Sequence, residues 1–154
     1  MRRVVLDSNA IDPIADRPGA YEAIRAAVDA ARLEVLFTHI TVEELAGIPD
    51  PERRSLLLLL LIDLGHLIPT GAAVVGFSRL DFCRLNDDTE ALDAFRSGNI
   101  DHTRDALIAA TAQFEQCALV TNDKRLTGRA RERGVEVLTI FDLLSELGLN
   151  NQAV

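Results

Sequence analysis

The sequence predicts an α/β protein with a mostly parallel central sheet in a three-layer α/β/α sandwich. Apolar strand patterns alternate along the chain with helical patterns, which favours parallel strands joined by crossover helices. Four acidic residues stand where a predicted strand ends or a predicted helix begins, and open α/β sheets bind ligands at that edge. With 154 residues, of which 48% are apolar and 26% charged, we expect one domain spanning residues 1–154.

The first half of the chain is predicted to contain two clear strands and three helices. The strands cover residues 4–6 and 33–37, and residues 66–69 form a third strand or a connector. Apolar residues at helical spacing predict a helix over 20–32. A short helix is expected from Thr41 to about Gly47. Asp50 and Pro51 then predict the start of a helix that runs to Leu64, with Gly65 as its stop.

The second half continues the alternation. Residues 72–84 and 88–96 are predicted to be helical, with a break at Asn86-Asp87, and 97–99 form a turn. Further helices are expected over 101–116, 124–133 and 141–147. Strands are expected over 118–121 and 135–138. The acids Asp81, Asp87, Asp88, Glu90 and Asp93 in this half receive no role from the sequence.

Asp7, Glu44, Asp105 and Asp123 are the acids at these element ends. Each has an ordinary structural explanation: an Asx-turn at Asp7, a capping box from Thr41 to Glu44, a helix-dipole contact in the first turn at Asp105 and an N-cap at Asp123. Their conjunction points instead to a divalent cation, since carboxylate oxygens are the ligands that Mg²⁺ and Mn²⁺ prefer. Asp101, four residues before Asp105, is either a fifth site acid or the helix cap.

These stretches together resemble the PIN-domain ribonucleases, and more specifically the VapC-type toxins of toxin–antitoxin pairs. The matching segments are VVLDSN, THITVEEL, DALIAATA and ALVTND, in that order over nearly the whole chain. The resemblance implies a Mg²⁺- or Mn²⁺-dependent endoribonuclease whose partner is an antitoxin. It selects Glu44 over Glu43 because the family's glutamate directly precedes leucine. It also implies supporting polar roles for Asn9, Thr121 and Asn122.

Two further segments allow two interpretations each. Lys124, Arg125 and Arg129 belong to a basic stretch directly after Asp123, which either guides the RNA backbone or is a solvated helix face. Residues 56–62 are all leucine or isoleucine, so their helix is expected to be buried on more than one side. The second buried side indicates a homodimer, or else deep burial within one chain.

The sequence lacks features that two other α/β families would require. A phosphotransfer receiver domain would carry an acid after its middle strand, where this chain has Phe37-Thr38, and a haloacid-dehalogenase-like phosphatase would have Asp at position 9. A non-toxin PIN nuclease in RNA processing and a catalytically silent PIN-like scaffold stay open as alternatives. A net charge of −8 argues against a general nucleic-acid coating protein. We expect a cytoplasmic protein, because no apolar run is long enough to span a membrane and no signal peptide is recognisable.

Overall fold

The computed structural model, which describes residues 1–74, 78–86 and 88–149, contains a five-stranded parallel sheet. Its strand order is β3-β2-β1-β4-β5, and every neighbouring pair is parallel. The strands are β1 (Arg2–Leu6), β2 (Leu33–Phe37), β3 (His66–Leu67), β4 (Ala118–Val120) and β5 (Val137–Leu138). This confirms the predicted mostly parallel α/β sheet.

Helices cover both faces of the sheet and complete the predicted three-layer sandwich. Successive side chains of β1 point to opposite faces, so Val4 and Leu6 join one buried core while Val5 joins the other. The helices are α1 (Ile11–Asp16), α2 (Ala20–Asp29), α3 (His39–Ala46), α4 (Pro51–Leu64), α5 (Thr89–Arg96), α6 (Ile100–Phe114), α7 (Lys124–Glu132) and α8 (Ile140–Glu146). Helices α1, α2, α4 and α8 pack in the first core, and α5, α6 and α7 in the second.

The prediction of a helix over 72–84 is wrong for residues 72–74 and 78–84, none of which lies in an α-helix. Residues 75–77 lie outside the described part of the chain. A single 3₁₀ turn, Leu80–Phe82, is present instead. The chain folds back on itself here: Thr70 donates its N–H to the Phe82 carbonyl (2.9 Å) and accepts from the Arg84 N–H (2.8 Å). These pairings use backbone groups that a helix would need for its own hydrogen bonds. The predicted break at Asp87 also lies outside the described residues.

Three predicted helix starts or ends are corrected. Helix α3 begins at His39 with Thr38 as its N-cap, so Thr41 does not start a capping box. The Thr41 hydroxyl instead donates to the Leu6 carbonyl (3.1 Å) and ties α3 to the end of β1. Asn99, not Asp101, caps α6, since its side chain accepts from the His102 N–H (3.2 Å). Helix α2 ends at Asp29, because the chain reverses toward β2 through a left-handed residue at position 31 (φ 53°).

Helix α4 follows the predicted bounds but is buried on one side only. Asp50 caps it by accepting from the Glu52 N–H (3.0 Å), and Pro51 occupies the first helical position. Its buried side packs in the first core through Leu57, Leu61 and Leu64. Its outer side exposes a stripe of apolar side chains: Leu56 (45%), Leu59 (67%) and Ile62 (65%).

None of the helices in the described part of the chain combines the length and apolar character that crossing a bilayer requires.

Candidate functional site

The carboxyl ends of β1 and β4 lie side by side at the centre of the sheet. In the chain, β1 leads to β2 on one side of it, whereas β4 lies on its other side. A crevice therefore opens between the connections that follow β1 and β4. Leu6 pairs with Val120, and the Asp7 N–H donates to the Val120 carbonyl (3.0 Å). The segments that follow the two strands therefore meet at this edge.

Asp7 is buried here and held by two hydrogen bonds. Its carboxylate accepts from the Thr121 hydroxyl (2.8 Å) and from the Ser8 N–H (2.9 Å). The pKa of Asp7 is raised to about 6, chiefly by burial and to a smaller extent by the nearby charges of Glu44 and Asp123, while the two hydrogen bonds oppose the shift. The raised pKa of Asp7 thus reflects mainly its burial, with a smaller contribution from the neighbouring carboxylates.

A polar network behind Asp7 joins β1 to the residues after β4. The Asn9 side-chain oxygen accepts from the Asn122 N–H (2.9 Å) and lies 3.3 Å from the Thr121 hydroxyl. The same hydroxyl accepts from the Asp123 N–H (3.0 Å). Asn9 and Thr121 thus brace the site as side chains, whereas Asn122 takes part through its backbone.

Asp123 is the N-cap of α7. One of its carboxylate oxygens, Oδ1, accepts from the N–H groups of Arg125 (2.7 Å) and Leu126 (3.1 Å). These bonds fix the carboxylate at the rim of the crevice, and they bear out the cap that the sequence indicated.

Glu44 reaches the crevice from α3. Its carboxylate accepts from the Ser8 hydroxyl and lies 3.9 Å from the Arg104 guanidinium. Its neighbour Glu43 forms an ion pair with Arg79 instead (2.8 Å). The geometry therefore brings Glu44, and not Glu43, beside the residues that follow β1.

Asp105 lies in the second turn of α6 rather than the first, because α6 begins at Ile100. Its side chain is only 9% exposed and accepts from the Arg125 Nε at 2.5 Å. Burial raises the pKa of Asp105, which Arg125 opposes. The small residues after it are buried, so α6 presses closely on the sheet as expected: Ala106, Ala109, Ala110 and Ala112.

One small cavity of about 100 Å³ unites these side chains. All four predicted acids line it, and Asp101 lies at the same rim as an exposed residue. Three lining residues were not predicted as site residues: Ser8, Arg104 and Ile108. Ser8 and Arg104 each directly adjoin a predicted acid in the sequence. The complete lining is Asp7, Ser8, Asn9, Glu44, Asp101, Arg104, Asp105, Ile108, Asp123 and Arg125.

The basic stretch after Asp123 divides into exposed and paired residues. Lys124 is exposed. Arg125 pairs with Asp105, and Arg129 lies 3.3 Å from Glu90. Two acids of the segment without an assigned role thus link the start of α5 to the end of α7: Glu90 pairs with Arg129, and both Asp88 and Glu90 pair with Arg133, at 2.6 and 2.9 Å.

The cavity offers the type of donor that a hard divalent cation prefers, since its acids supply carboxylate oxygens alone. Within residues 1–74, 78–86 and 88–149, no three His, Cys, Asp or Glu side chains lie close enough together to form a complete metal-binding group. Mg²⁺ usually keeps several waters beside one or two carboxylates, so a site for it does not need a complete set of protein ligands.

Comparisons with known proteins bear on the fold. No family profile and no curated protein sequence matches the chain. Solved structures do match over almost the full length. VapBC2 from Rickettsia felis, bound to a DNA fragment from their promoter, has 16% identity and a TM-score of 0.57, covering 89% of this chain and 98% of that one. PAE2754 from Pyrobaculum aerophilum has 19% identity and a TM-score of 0.59, covering 96% and 90%.

A third neighbour names the domain type. The PilT N-terminus (PIN) domain protein SSO1118 from Sulfolobus solfataricus P2 has 15% identity and a TM-score of 0.52, covering 94% of this chain and 92% of that one. The chain has the fold of a VapC-type PIN domain. At such low identity the likeness establishes the fold alone, and in this PIN fold the four acids line the cavity where β1 and β4 end.

Proposed function

We propose that this protein is a Mg²⁺- or Mn²⁺-dependent endoribonuclease that acts as the toxin of a type II toxin–antitoxin pair in the cytoplasm. The observation that carries the proposal is the single cavity lined by Asp7, Glu44, Asp105 and Asp123 on a PIN fold. Crowded carboxylates repel one another; the pKa of Asp7 is raised mainly by burial, and the charges of Glu44 and Asp123 add to the shift. A divalent cation relieves this repulsion.

The residues have separate roles in this proposal. Asp7, Asp105 and Asp123 hold the cation, and Glu44 holds a second ion or orients the attacking water. A bound divalent cation stabilises charge on the phosphoryl group and lowers the pKa of a bound water. Thr121 and the Ser8 N–H keep the Asp7 carboxylate in place, and the cap of α7 fixes Asp123.

The partners follow from the surface and from the neighbours. RNA is the proposed substrate. Arg104 lines the cavity and the exposed Lys124 directly follows Asp123 in the chain, so both are cations that suit its phosphates. VapBC2 supports an antitoxin partner by fold similarity. The stripe of Leu56, Leu59 and Ile62 on α4 supports a homodimer, because exposed apolar side chains in a row mark interaction surfaces.

The decisive experiment compares two neighbouring glutamates on α3. Purified wild-type chain, Glu44→Gln and Glu43→Gln would each be incubated with single-stranded RNA in Mn²⁺, in Mg²⁺ and in EDTA. We expect the wild type and Glu43→Gln to cut RNA only with metal, and Glu44→Gln to lose at least about 100-fold in rate, the scale of one positioned catalytic group. Equal activity in the two variants, or cutting in EDTA, would contradict the proposal.

Induced expression in a bacterial host separates the toxin from the alternatives. A toxin arrests growth, and Glu44→Gln relieves the arrest. Metal-dependent cutting without growth arrest would favour a PIN nuclease in RNA processing, and neither activity would favour a silent scaffold.

A further inference from the structure

Arg125 connects three of the acids at the cavity. Its N–H donates to Asp123 Oδ1 (2.7 Å), and its Nε lies 2.5 Å from Asp105 Oδ2. Its Nη1 is 4.0 Å from an oxygen of Asp101. The residue therefore anchors its backbone on one predicted cation ligand while its guanidinium neutralises another.

The guanidinium has a clear physical task at Asp105. A buried carboxylate is costly unless a positive charge and hydrogen bonds accompany it. Asp105 is 9% exposed, whereas the side chain of Arg125 is 45% exposed and lies at the open rim. The pair thus joins a fixed, buried anion to a long side chain that has room to swing into solvent.

Two cations cannot share this carboxylate without strong repulsion. The cavity measures only about 100 Å³, and a divalent ion held by Asp105 would lie within a few ångströms of the guanidinium. Screening is weaker beside a buried carboxylate than between two exposed charges, so the guanidinium and the ion repel each other even though Arg125 is partly exposed.

We propose that Arg125 is an intramolecular counter-ion of Asp105 that competes with the divalent cation for this carboxylate. The inference rests on the proposed function, because it takes Asp105 as a cation ligand. Arg125 stabilises the metal-free protein and sets the cation concentration at which the site fills. Filling the site turns the guanidinium outward, to the rim beside Lys124.

The test measures cation binding rather than activity. Mn²⁺ would be titrated calorimetrically into the purified full chain, Arg125→Gln and Lys124→Gln. The two variants lose the same charge at adjacent positions, but only Arg125 contacts Asp105. We expect Arg125→Gln to bind Mn²⁺ roughly tenfold more tightly than wild type, since a charge-assisted hydrogen bond no longer competes, whereas Lys124→Gln changes by less than about twofold.

Three outcomes overturn the inference. Equal affinity in the two variants would mean that only net charge matters, and weaker binding by Arg125→Gln would make the arginine a helper of the cation. Absence of Mn²⁺ binding in all three proteins would remove both this inference and the proposed metal dependence. Circular dichroism confirms folding, and Arg125→Ala repeats the measurement if Arg125→Gln does not fold.

A cleavage assay on the same samples separates this inference from the proposed function. Tighter Mn²⁺ binding by Arg125→Gln supports the competition even if no variant cuts RNA. In that case the nuclease proposal alone fails.

Discussion

Replacing Asp7 with asparagine is expected to stabilise the metal-free protein at pH 8 while abolishing RNA cleavage. The pKa of Asp7 rises from 3.8 to about 6 on folding, mainly through burial. Because the folded-state pKa is raised, the stability contributed by the neutral carboxyl is present below about pH 4 and is lost as the pH rises through about 6. The shift of about 2 pKa units corresponds to roughly 3 kcal/mol.

Asparagine removes this penalty with little change in shape. Its side-chain oxygen can still accept from the Ser8 N–H, and its amide can donate to the Thr121 hydroxyl, which can turn its own hydrogen toward Asn9. The variant should therefore gain up to about 3 kcal/mol in free energy of unfolding at pH 8, and almost nothing at pH 4. Its Tm at pH 8 should rise by several degrees, since each kcal/mol shifts a domain of this size by about 2–4 °C.

Urea unfolding in EDTA measures the free energy of unfolding of the wild type and of the variant at pH 4 and at pH 8. Asp81→Asn serves as the control, because it removes the same charge from an exposed position outside the cavity. Mg²⁺ should stabilise the wild type more than Asp7→Asn. A gain at pH 8 no larger than that of the control, or an equal gain at pH 4, would refute the account of Asp7 as a buried, crowded carboxylate.

Three other outcomes are expected. In urea titrations, Gly71→Ala should lower the free energy of unfolding by about 2 kcal/mol or more, because a Cβ at this position would lie 2.4 Å from the Ala110 carbonyl oxygen. Gly128→Ala is the control: a Cβ there meets no atom within 4 Å, so this variant should be neutral or stabilising. Light scattering should give a dimer for the wild type and a monomer for Leu59→Glu; a monomeric wild type removes the dimer. A peptide from the antitoxin should inhibit RNA cleavage by placing a basic residue at the acidic cavity. Replacing the arginines of the peptide, or raising the Mg²⁺ concentration, should then weaken inhibition. Inhibition that resists both changes would mean that the peptide binds elsewhere.

The sequence predicted the sheet and the meeting of the four acids for the same reason. Parallel strands end at one edge, so acids that follow β1 and β4 had to come close once the α/β alternation was recognised. Glu44 and Asp105 lie at the same edge because α3 follows β2 directly and because α6 packs on the sheet through alanines. The local patterns were sufficient here because each acid is close in sequence to a regular element.

The errors lie where long-range contacts override local pattern. Residues 78–84 include residue types that are compatible with a helix, but the Phe82 carbonyl accepts from the Thr70 N–H and is not used in a helical hydrogen bond. The acids at the start of α5 had no visible role because their partners in and just after α7 are about 40 residues away: Glu90 pairs with Arg129, and Asp88 pairs with Arg133. Arg125 likewise pairs with an acid on another helix. Which cations are free for RNA could be learned only from the tertiary structure.

Structural and functional explanations of these acids need not exclude each other. Asp123 is the cap of α7 and also lines the cavity, and both capping bonds fall on Oδ1, so the cap uses one of two oxygens. Asp7 makes the turn after β1 through its bond to the Ser8 N–H, and burial in the cavity nevertheless raises its pKa to about 6. Capping bonds hold a carboxylate rigidly, and rigid placement is what a cation site needs. The same contacts that made each acid look ordinary in the sequence thus supply the preorganisation on which the proposed chemistry depends.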